Sequence, residues 1–363
     1  MTGLPAPLNA VIPTGASRER RVVPIIELAV LAILLAYPVF VTLLTAGGET
    51  LDFNNYFVIR ATSILLLAML AISFDLCWGY SGIMSFGQAL FFGMGGYFAA
   101  KLATEFGVTN LLLVASAGMM IGTLSAMFVG WFLLLGKKSP SIVFVSLGTL
   151  TSSFAAQRLI AGSQWLGAAN GLSLSELPTV FGAELGVGVF FYYVALLFLF
   201  AAYVTSRILV RSQFGLALSG IRQNEGRLAF LGYRLQIYKL IVFSFAGLIA
   251  GCAGAIYAFC VGFVGPSTIG ITTSTFAVLY GLFGGVGTLI GPVIGTVVIE
   301  GLTVLLSGSD ALKAYWPIML GVIMLVVVSY RPGGLVGLFV TERERFGSFG
   351  IVRRLKREAA HDD

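Results

Sequence analysis

Apolar runs of about 20 residues recur along the whole chain, and they constrain its fold more than any other feature. Each run is long enough to cross a hydrocarbon core about 30 Å thick. Because the backbone groups of a spanning segment must be satisfied inside the protein, the runs are expected to be helices. The candidate spans are residues 24–44, 57–77, 82–101, 109–135, 141–160, 187–207, 240–263, 272–284, 288–307 and 314–330.

Composition and charge support the same fold class. Only 10% of the residues are charged, against about 25% in soluble domains, and 58% are hydrophobic. The isoelectric point near 9.3 would suit nucleic-acid binding, but the basic residues cluster in loops and tails, where they set membrane topology. The sequence therefore predicts an all-α, polytopic helical bundle of about ten transmembrane segments, with no nucleic-acid partner.

The distribution of Lys and Arg orients the predicted bundle. With the N-terminus inside and ten crossings, all but four of the 22 basic residues lie at the inner side. Cytoplasmic loops are enriched in these residues, so both termini are predicted to be cytoplasmic. The segment 272–284 is short and runs into a glycine cluster, so it is either a full crossing or a half-helix. The four exceptions, near predicted outer ends, are Arg60, Lys101, Arg158 and Lys313.

Three regions follow from this organisation. Residues 1–21 are expected to be a disordered basic lead, residues 22–332 a transmembrane domain, and residues 333–363 a basic cytoplasmic tail. The run at 24–44 is too long for a signal peptide and lacks a clean cleavage site, so it is expected to remain as the first helix. The longest predicted external loop, 161–186, contains no Lys or Arg.

No cofactor site is predicted in this chain. Cys77, Cys252 and Cys260 fall in apolar segments, and the one histidine, His361, lies in the polar tail. No metal-ligand or catalytic cluster results. The stretch from Gly130 to Ser139 comes near a phosphate loop, but it has one residue too many between its two glycines and its interior is apolar.

Small residues recur every four positions in several spans. Ser85, Ala89 and Gly93 are one such series, as are Gly247 with Gly251, Ala250 with Gly254, and Gly287 with Gly291 and Gly295. Small residues at this spacing let two helices approach closely in lipid, which explains them as packing positions. The alternative is that some line a pore or a moving helix seam. The candidates for that role are Gly82, Ser85, Gln88, Gly93, Gly287, Gly291 and Gly295.

A short polar, basic island at 219–234 interrupts the apolar runs. Its order Ile221-Arg222-Gln223-Asn224-Glu225, followed by Leu231-Gly232-Tyr233, resembles the cytoplasmic coupling loop of permeases in ATP-binding-cassette (ABC) importers. The chain looks most similar to the branched-chain amino-acid permeases of the LivM type. Residues 79–97, 232–257, 284–295 and 331–338 resemble the same family. Within the loop, Gln223, Gly226 and Leu228 depart from its usual acidic and alanine residues.

The resemblance implies a transport subunit of the bacterial inner membrane rather than an enzyme. Two cytoplasmic partner subunits would bind and hydrolyse ATP. A second, different permease subunit and an extracytoplasmic substrate-binding protein would complete the importer. Branched-chain or other hydrophobic amino acids are the expected substrates, with urea or short amides as the alternative. An ion-coupled transporter using Asp75 and Glu300 is a further alternative, and it would not need the basic island.

Within the coupling loop, 208–239, residues 220–233 are expected to form one short helix that docks in a groove of the ATPase. Arg222 and Glu225 would share a face and meet opposite charges on that partner. Leu228 and Leu231 would form the apolar anchor, and Gly232 would end the helix. The remaining coupling candidate is Asn224.

Overall fold

A computed structural model of the chain describes residues 22–45, 51–136, 140–180, 183–186, 188–306 and 333–338, with residues 315, 318–323, 325, 327 and 329. The helices are α1 (Val22–Thr45), α2 (Leu51–Asp75), α3 (Gln88–Phe106), α4 (Leu111–Leu134), α5 (Ile142–Gly162), α6 (Val189–Arg211), α7 (Gln213–Gln223), α8 (Glu225–Phe230), α9 (Leu235–Val261), α10 (Pro266–Ile269), α11 (Ile271–Gly284) and α12 (Ile290–Leu306). A π-helical turn, Leu76–Tyr80, continues α2. Short 3₁₀ turns lie at Gln164–Leu166, Ala168–Asn170 and Val336–Leu338.

Two small antiparallel pairs of strands accompany the helices. The strand β1 (Leu172–Ser173) pairs with β4 (Phe263–Val264), and β2 (Thr179–Val180) pairs with β3 (Ala183–Glu184). Three of these strands belong to the predicted external loop 161–186. The β1–β4 pair therefore fixes this loop against the end of α9.

The described helices agree with the prediction of a polytopic membrane protein. Five of them are long and apolar enough to cross a bilayer, covering residues 23–42, 56–80, 111–134, 189–211 and 235–261. The first nine predicted runs each coincide with a helix. The tenth, 314–330, is described only at individual residues, and both termini lie outside the described residues, so ten crossings and two cytoplasmic ends stay predictions. The same holds for the lead at 1–21 and for the tail beyond 338.

The helix α9 lies at the centre of the bundle because α3 and α4 pack against its glycine-rich surface. Gly247 and Gly251 face Gly122 of α4 so closely that a Cβ atom on Gly251 would lie 2.7 Å from the Gly122 Cα. On another side, a Cβ on Gly254 would lie 3.0 Å from the Cα of Phe92 in α3. The predicted packing role of these α9 glycines is confirmed, since side chains would force the helices apart.

Two interruptions of regular helix lie inside the bundle. The first covers residues 82–87, between the π-helical turn and α3, and the second covers residues 285–289, between α11 and α12. Non-helical backbone at this depth is tolerated only where protein or a water-filled cavity surrounds it. We call these segments the first and second breaks.

The breaks correct part of the glycine prediction. Ser85 and Gly287 lie in the breaks, so neither shares a helical face with the residues four and eight positions later. Gly287 has φ +82°, a left-handed conformation that glycine adopts without steric cost. Gly291 and Gly295 do lie on α12, where a Cβ on Gly295 would come within 2.8 Å of the Gly284 backbone in α11. With 14 residues, α11 is about 21 Å long, shorter than the hydrocarbon core.

Candidate functional site

The polar island folds as two helices, α7 and α8, in the connection between α6 and α9. The prediction of a single helix over 220–233 is wrong, because Asn224 has an extended backbone (φ −161°, ψ 98°) that ends α7. Its side-chain oxygen accepts a hydrogen bond from the backbone N–H of Arg227 at 3.0 Å and so caps α8. Arg222 and Glu225 consequently lie on different helices and do not share a face.

The end of α8 agrees with the prediction for Gly232. This glycine follows the helix with φ +83°, and its N–H donates to the carbonyl of Ala229 at 3.0 Å. The N–H of Tyr233 donates to the carbonyl of Leu228 at 3.2 Å. This pair of bonds is a Schellman motif, in which a left-handed residue satisfies the last carbonyls of a helix.

The end of α8 exposes a pair of apolar side chains. Phe230 is 95% exposed and Leu231 is 73% exposed, whereas Leu228 is partly buried with its side chain against Gly220 of α7. Leu228 therefore holds the two helices together rather than forming an outer anchor. An open groove adjoins the exposed pair. Its lining residues are Leu231, Gly232, Tyr233, Arg234, Ile237 and Tyr238.

Two contacts attach the helix pair to the first turns of α9. The Glu225 carboxylate accepts a hydrogen bond from the Lys239 ammonium at 2.6 Å, and Lys239 is only 4% exposed. The rings of Phe214 in α7 and Tyr238 stack with their centroids 5.2 Å apart. Together these contacts fix the position of α7 and α8 relative to the bundle. Glu225 thus has an ion-pair partner within its own chain.

The contacts of Arg222 lead inward to the first break. Its guanidinium donates a hydrogen bond to the carbonyl of Gly79, in the π-helical turn. Its side chain also lies against Gly82, since a Cβ atom placed on that glycine would be 3.5 Å from the Arg222 Cγ. Arg222, predicted to belong to the coupling loop, is thus in contact with Gly82, predicted to line a pore or helix seam.

Asp75 joins the π-helical turn, which precedes the first break, to the second break. Its side chain is fully buried, and its carboxyl oxygens accept hydrogen bonds from the N–H groups of Gly287 at 2.6 Å and Leu289 at 3.0 Å. The hydroxyl of Tyr80 donates to the Gly287 carbonyl at 2.9 Å. Leu289 is buried with φ +59°, an unusual conformation for a residue with a side chain.

A small group of polar side chains lies at the start of α3. Gln88 is 1% exposed; its amide donates to the Cys77 sulfur at 3.3 Å and its carbonyl accepts from the Ser73 hydroxyl at 3.2 Å. The buried hydroxyl of Ser85 accepts from the N–H of Gly87 at 3.2 Å. Gly93 packs on Ile269 of α10. In this conformation Gln88, Ser85 and Gly93 are all packed inside the bundle.

The described ionisable groups form no metal-binding cluster. Across the ranges that the structure describes, no three His, Cys, Asp or Glu side chains are placed to hold a metal ion. Glu300 of α12 accepts a hydrogen bond from the Tyr280 hydroxyl at 2.5 Å. The buried polar groups around the breaks are therefore hydroxyl, amide and backbone groups beside one buried carboxyl, that of Asp75.

Sequence reasoning missed three of the contacting residues. Phe230 reads as an ordinary apolar residue, and its exposure follows only from the break at Asn224. Lys239 reads as a topogenic basic residue beside α9. Tyr80 could have been noticed as a hydroxyl between glycines, but its partner lies 207 residues away and no local pattern identifies it.

The fold and these contacts define a multi-pass helical membrane protein with a structured helix pair in one of its connections. A family model for "Branched-chain amino acid transport system / permease component" matches residues 56–328. The chain belongs to this family, as the resemblance at 219–234 predicted, and it lies in the bacterial inner membrane.

Curated proteins of two kinds are similar to the chain. The high-affinity branched-chain amino acid transport system permease protein LivM of Escherichia coli K12 is 25% identical over 299 residues, covering 76% of this chain and 69% of LivM. LivM of Salmonella typhimurium is 26% identical over the same shares. The autoinducer 2 import system permease protein LsrC of Enterobacter sp. 638 is 33% identical over 223 residues, covering 57% of this chain and 61% of LsrC. No solved structure matches the chain significantly.

Proposed function

We propose that the chain is a membrane-spanning permease subunit of an ABC importer, translocating branched-chain or other hydrophobic amino acids. In this proposal two ATP-binding subunits dock on its cytoplasmic side, and a second, different permease subunit shares the translocation path. An extracytoplasmic binding protein delivers the substrate to a face that includes the loop 161–186. Both termini and the connection 208–239 are then cytoplasmic.

The exposed apolar end of α8 is the observation that carries the proposal. Phe230 and Leu231 are adjacent and both exposed in a polar connection, beside an open groove, and contiguous exposed apolar surface marks a site that a partner covers. Arg227 and Arg234 flank it and are exposed as well. A partner groove with an apolar floor and an acidic rim would complement this surface. Arg222 and Glu225 support the docking helices from within, and Asn224 and Gly232 set the bounds of α8.

The amino-acid assignment rests on family membership and on the groups inside the bundle. The family description and the names of the LivM relatives both concern branched-chain amino acid transport. The polar groups buried around the first break are mainly hydroxyl and amide groups, including Ser73, Gln88 and Thr149. A path with few such groups and much apolar surface suits a small substrate with an aliphatic side chain.

A second candidate substrate is autoinducer 2. The LsrC relative is more identical to the chain than either LivM protein, although over a shorter stretch. Urea or a short amide is the further alternative from the coupling-loop pattern. An ion-coupled mechanism is the least supported, since the carboxyl groups it would use, Asp75 and Glu300, accept hydrogen bonds within the chain.

Uptake by cells that carry the intact transport system tests these alternatives. Radiolabelled leucine, urea and autoinducer 2 are offered to cells with the gene for this chain deleted and then restored. Leucine uptake that needs both this chain and a hydrolysis-competent ATP-binding subunit is the expected result. Uptake of another compound alone would replace the substrate assignment. Uptake that persists without a functional ATPase would overturn the importer mechanism itself.

A further inference from the structure

The helix pair α7–α8 is connected to the interior of the bundle through a short series of direct contacts. Arg222 donates to the carbonyl of Gly79 and packs on Gly82. Gly79 lies on the Asp75 carboxyl group, and a Cβ at Gly79 would come within 2.7 Å of the Gly287 nitrogen. Asp75 in turn accepts from the N–H groups of Gly287 and Leu289. Two residues, Gly79 and Asp75, therefore lie between Arg222 of α7 and the second break.

A turn at residues 333–335 packs against the backbone next to the second break. A Cβ on Gly334, which has φ +65°, would lie 2.8 Å from the carbonyl carbon of Gly284, and the N–H of Leu335 donates to the carbonyl of Phe283 at 2.9 Å. The second break is thus enclosed by Asp75 and Tyr80 on one side and by the 333–335 turn on another. We call the contact region of Arg222, Gly79, Asp75 and Gly287 the joint.

The local backbone of the joint is suited to rearrangement. The π-helical turn Leu76–Tyr80 is wider than an α-helix, because its hydrogen bonds run from residue i to residue i+5, and such turns occur frequently at functional sites. Leu289 is held with positive φ, a conformation that costs free energy and persists only while its surroundings enforce it. The hydrogen bond from the Leu289 N–H to Asp75 is one of the contacts that hold this conformation. Loss of that bond would free the second break from the π-helical turn.

We propose that the joint transmits ATP-driven movement of α7 and α8 to the two helix breaks, with Arg222 and Asp75 as its positioning residues. The proposal rests on the proposed function, because it requires an ATP-hydrolysing partner. Movement of α7 displaces the Gly79 carbonyl through Arg222. The displacement of the π-helical turn moves Asp75, which carries the backbone of Gly287 and Leu289 with it. Both breaks therefore change conformation in one step.

Cys77 provides a native reporter because it lies in the π-helical turn between Asp75 and Gly79. Its thiol is buried and is bonded by the amide of Gln88. In a Cys252→Ala, Cys260→Ala background it is the chain's one cysteine. The complete transporter, purified with its own ATP-binding subunits, is treated with N-ethylmaleimide without nucleotide and with ATP plus vanadate. Mass spectrometry gives the rate of modification at Cys77.

We expect the rate of Cys77 modification to change at least about fivefold when the complex is trapped with ATP and vanadate. This factor is the lower end of the range found for coupling between two sites of a protein. Arg222→Met should abolish this response in the complexes that still contain both ATP-binding subunits, because the contact that transmits their movement is gone. The matched control is Gln223→Met, the next residue on α7 and likewise exposed, which should keep the response. A merely structural role for Arg222 would lower the yield of complex without removing the nucleotide response.

Two results overturn the inference. The first is a nucleotide-dependent change in the Cys77 modification rate that is as large in Arg222→Met as in the parent. The second is a parent complex that hydrolyses ATP without any change in the Cys77 modification rate. If Arg222→Met prevents assembly of the transporter, the variant Asp75→Asn tests the proposal instead. We expect Cys77 in this variant to be modified faster than in the parent without nucleotide. An unchanged rate would contradict the proposed role of the joint. A complex that neither binds nor hydrolyses ATP would instead refute the proposed function.

Discussion

Asp75 accepts a hydrogen bond from the backbone N–H of Gly287, a residue 212 positions further along the chain. A second N–H, that of Leu289, reaches the other carboxyl oxygen at 3.0 Å. The carboxyl group is fully buried, so it serves as the hydrogen-bond partner that a helix would otherwise have supplied to this backbone. The second break is consequently stabilised by a side chain from a different helix.

Removal of this carboxyl group is expected to destabilise the protein. Asp75→Ala leaves two buried N–H groups without their acceptor, at a cost of about 1–3 kcal/mol each. Asp75→Asn keeps one acceptor and should cost roughly half as much. Both effects are measured by heating the detergent-solubilised protein and using size-exclusion chromatography to quantify the folded fraction that remains at each temperature. Glu300→Gln is the matched control, because the amide still offers an oxygen to the Tyr280 hydroxyl. Equal stability of Asp75→Ala and the control would contradict the assigned role.

Truncation of Phe230 is expected to weaken ATPase binding without affecting the fold. An aromatic residue central to an interface contributes about 2 kcal/mol or more on truncation, which corresponds to roughly 30-fold in affinity. Because the side chain is 95% exposed, Phe230→Ala removes almost no packing within this chain. Co-purification of the ATP-binding subunits and their titration onto the permease measure the loss. Phe190→Ala, at an exposed phenylalanine near the start of α6, serves as the control. Unchanged affinity in Phe230→Ala would remove α8 from the docking surface.

The sequence predicted the helices better than it predicted their interruptions. Long apolar runs and glycines four residues apart identified the spans and the faces of α9 that pack on its neighbours, because both patterns follow from helix geometry in lipid. The break at Asn224 was missed, although Asn is a weak helix former and a preferred N-cap and could have indicated that a second helix begins there. The contact between Asp75 and Gly287 could not be predicted, because tertiary packing alone brings residues that far apart together.

Charge reversal at Glu225 is expected to disrupt α8 through Lys239. Glu225→Lys places two ammonium groups where the ion pair now spans 2.6 Å, and contacting charges couple by about 0.5–3 kcal/mol. Uptake of the transported substrate should fall several-fold. The double variant Glu225→Lys, Lys239→Glu restores the pair with opposite polarity and should recover most of the transport. If Glu225 acted directly on the ATPase, the double variant would stay as impaired as the single one, so uptake in the two strains separates these roles.

Gly251 is a position where a single methyl group is expected to perturb the centre of the bundle directly. A Cβ there would lie 2.7 Å from the Gly122 Cα and overlap the carbonyl oxygen of Gly118, so α4 and α9 must separate. Overpacking of this kind costs about 1–3 kcal/mol. Gly301→Ala is the control, since a Cβ at that position in α12 meets nothing within 4 Å and alanine favours the helix by up to about 1 kcal/mol. Thermal unfolding should therefore shift downward for Gly251→Ala and remain equal or rise for Gly301→Ala. Equal unfolding temperatures would mean that the two helices tolerate a wider separation than their glycines indicate.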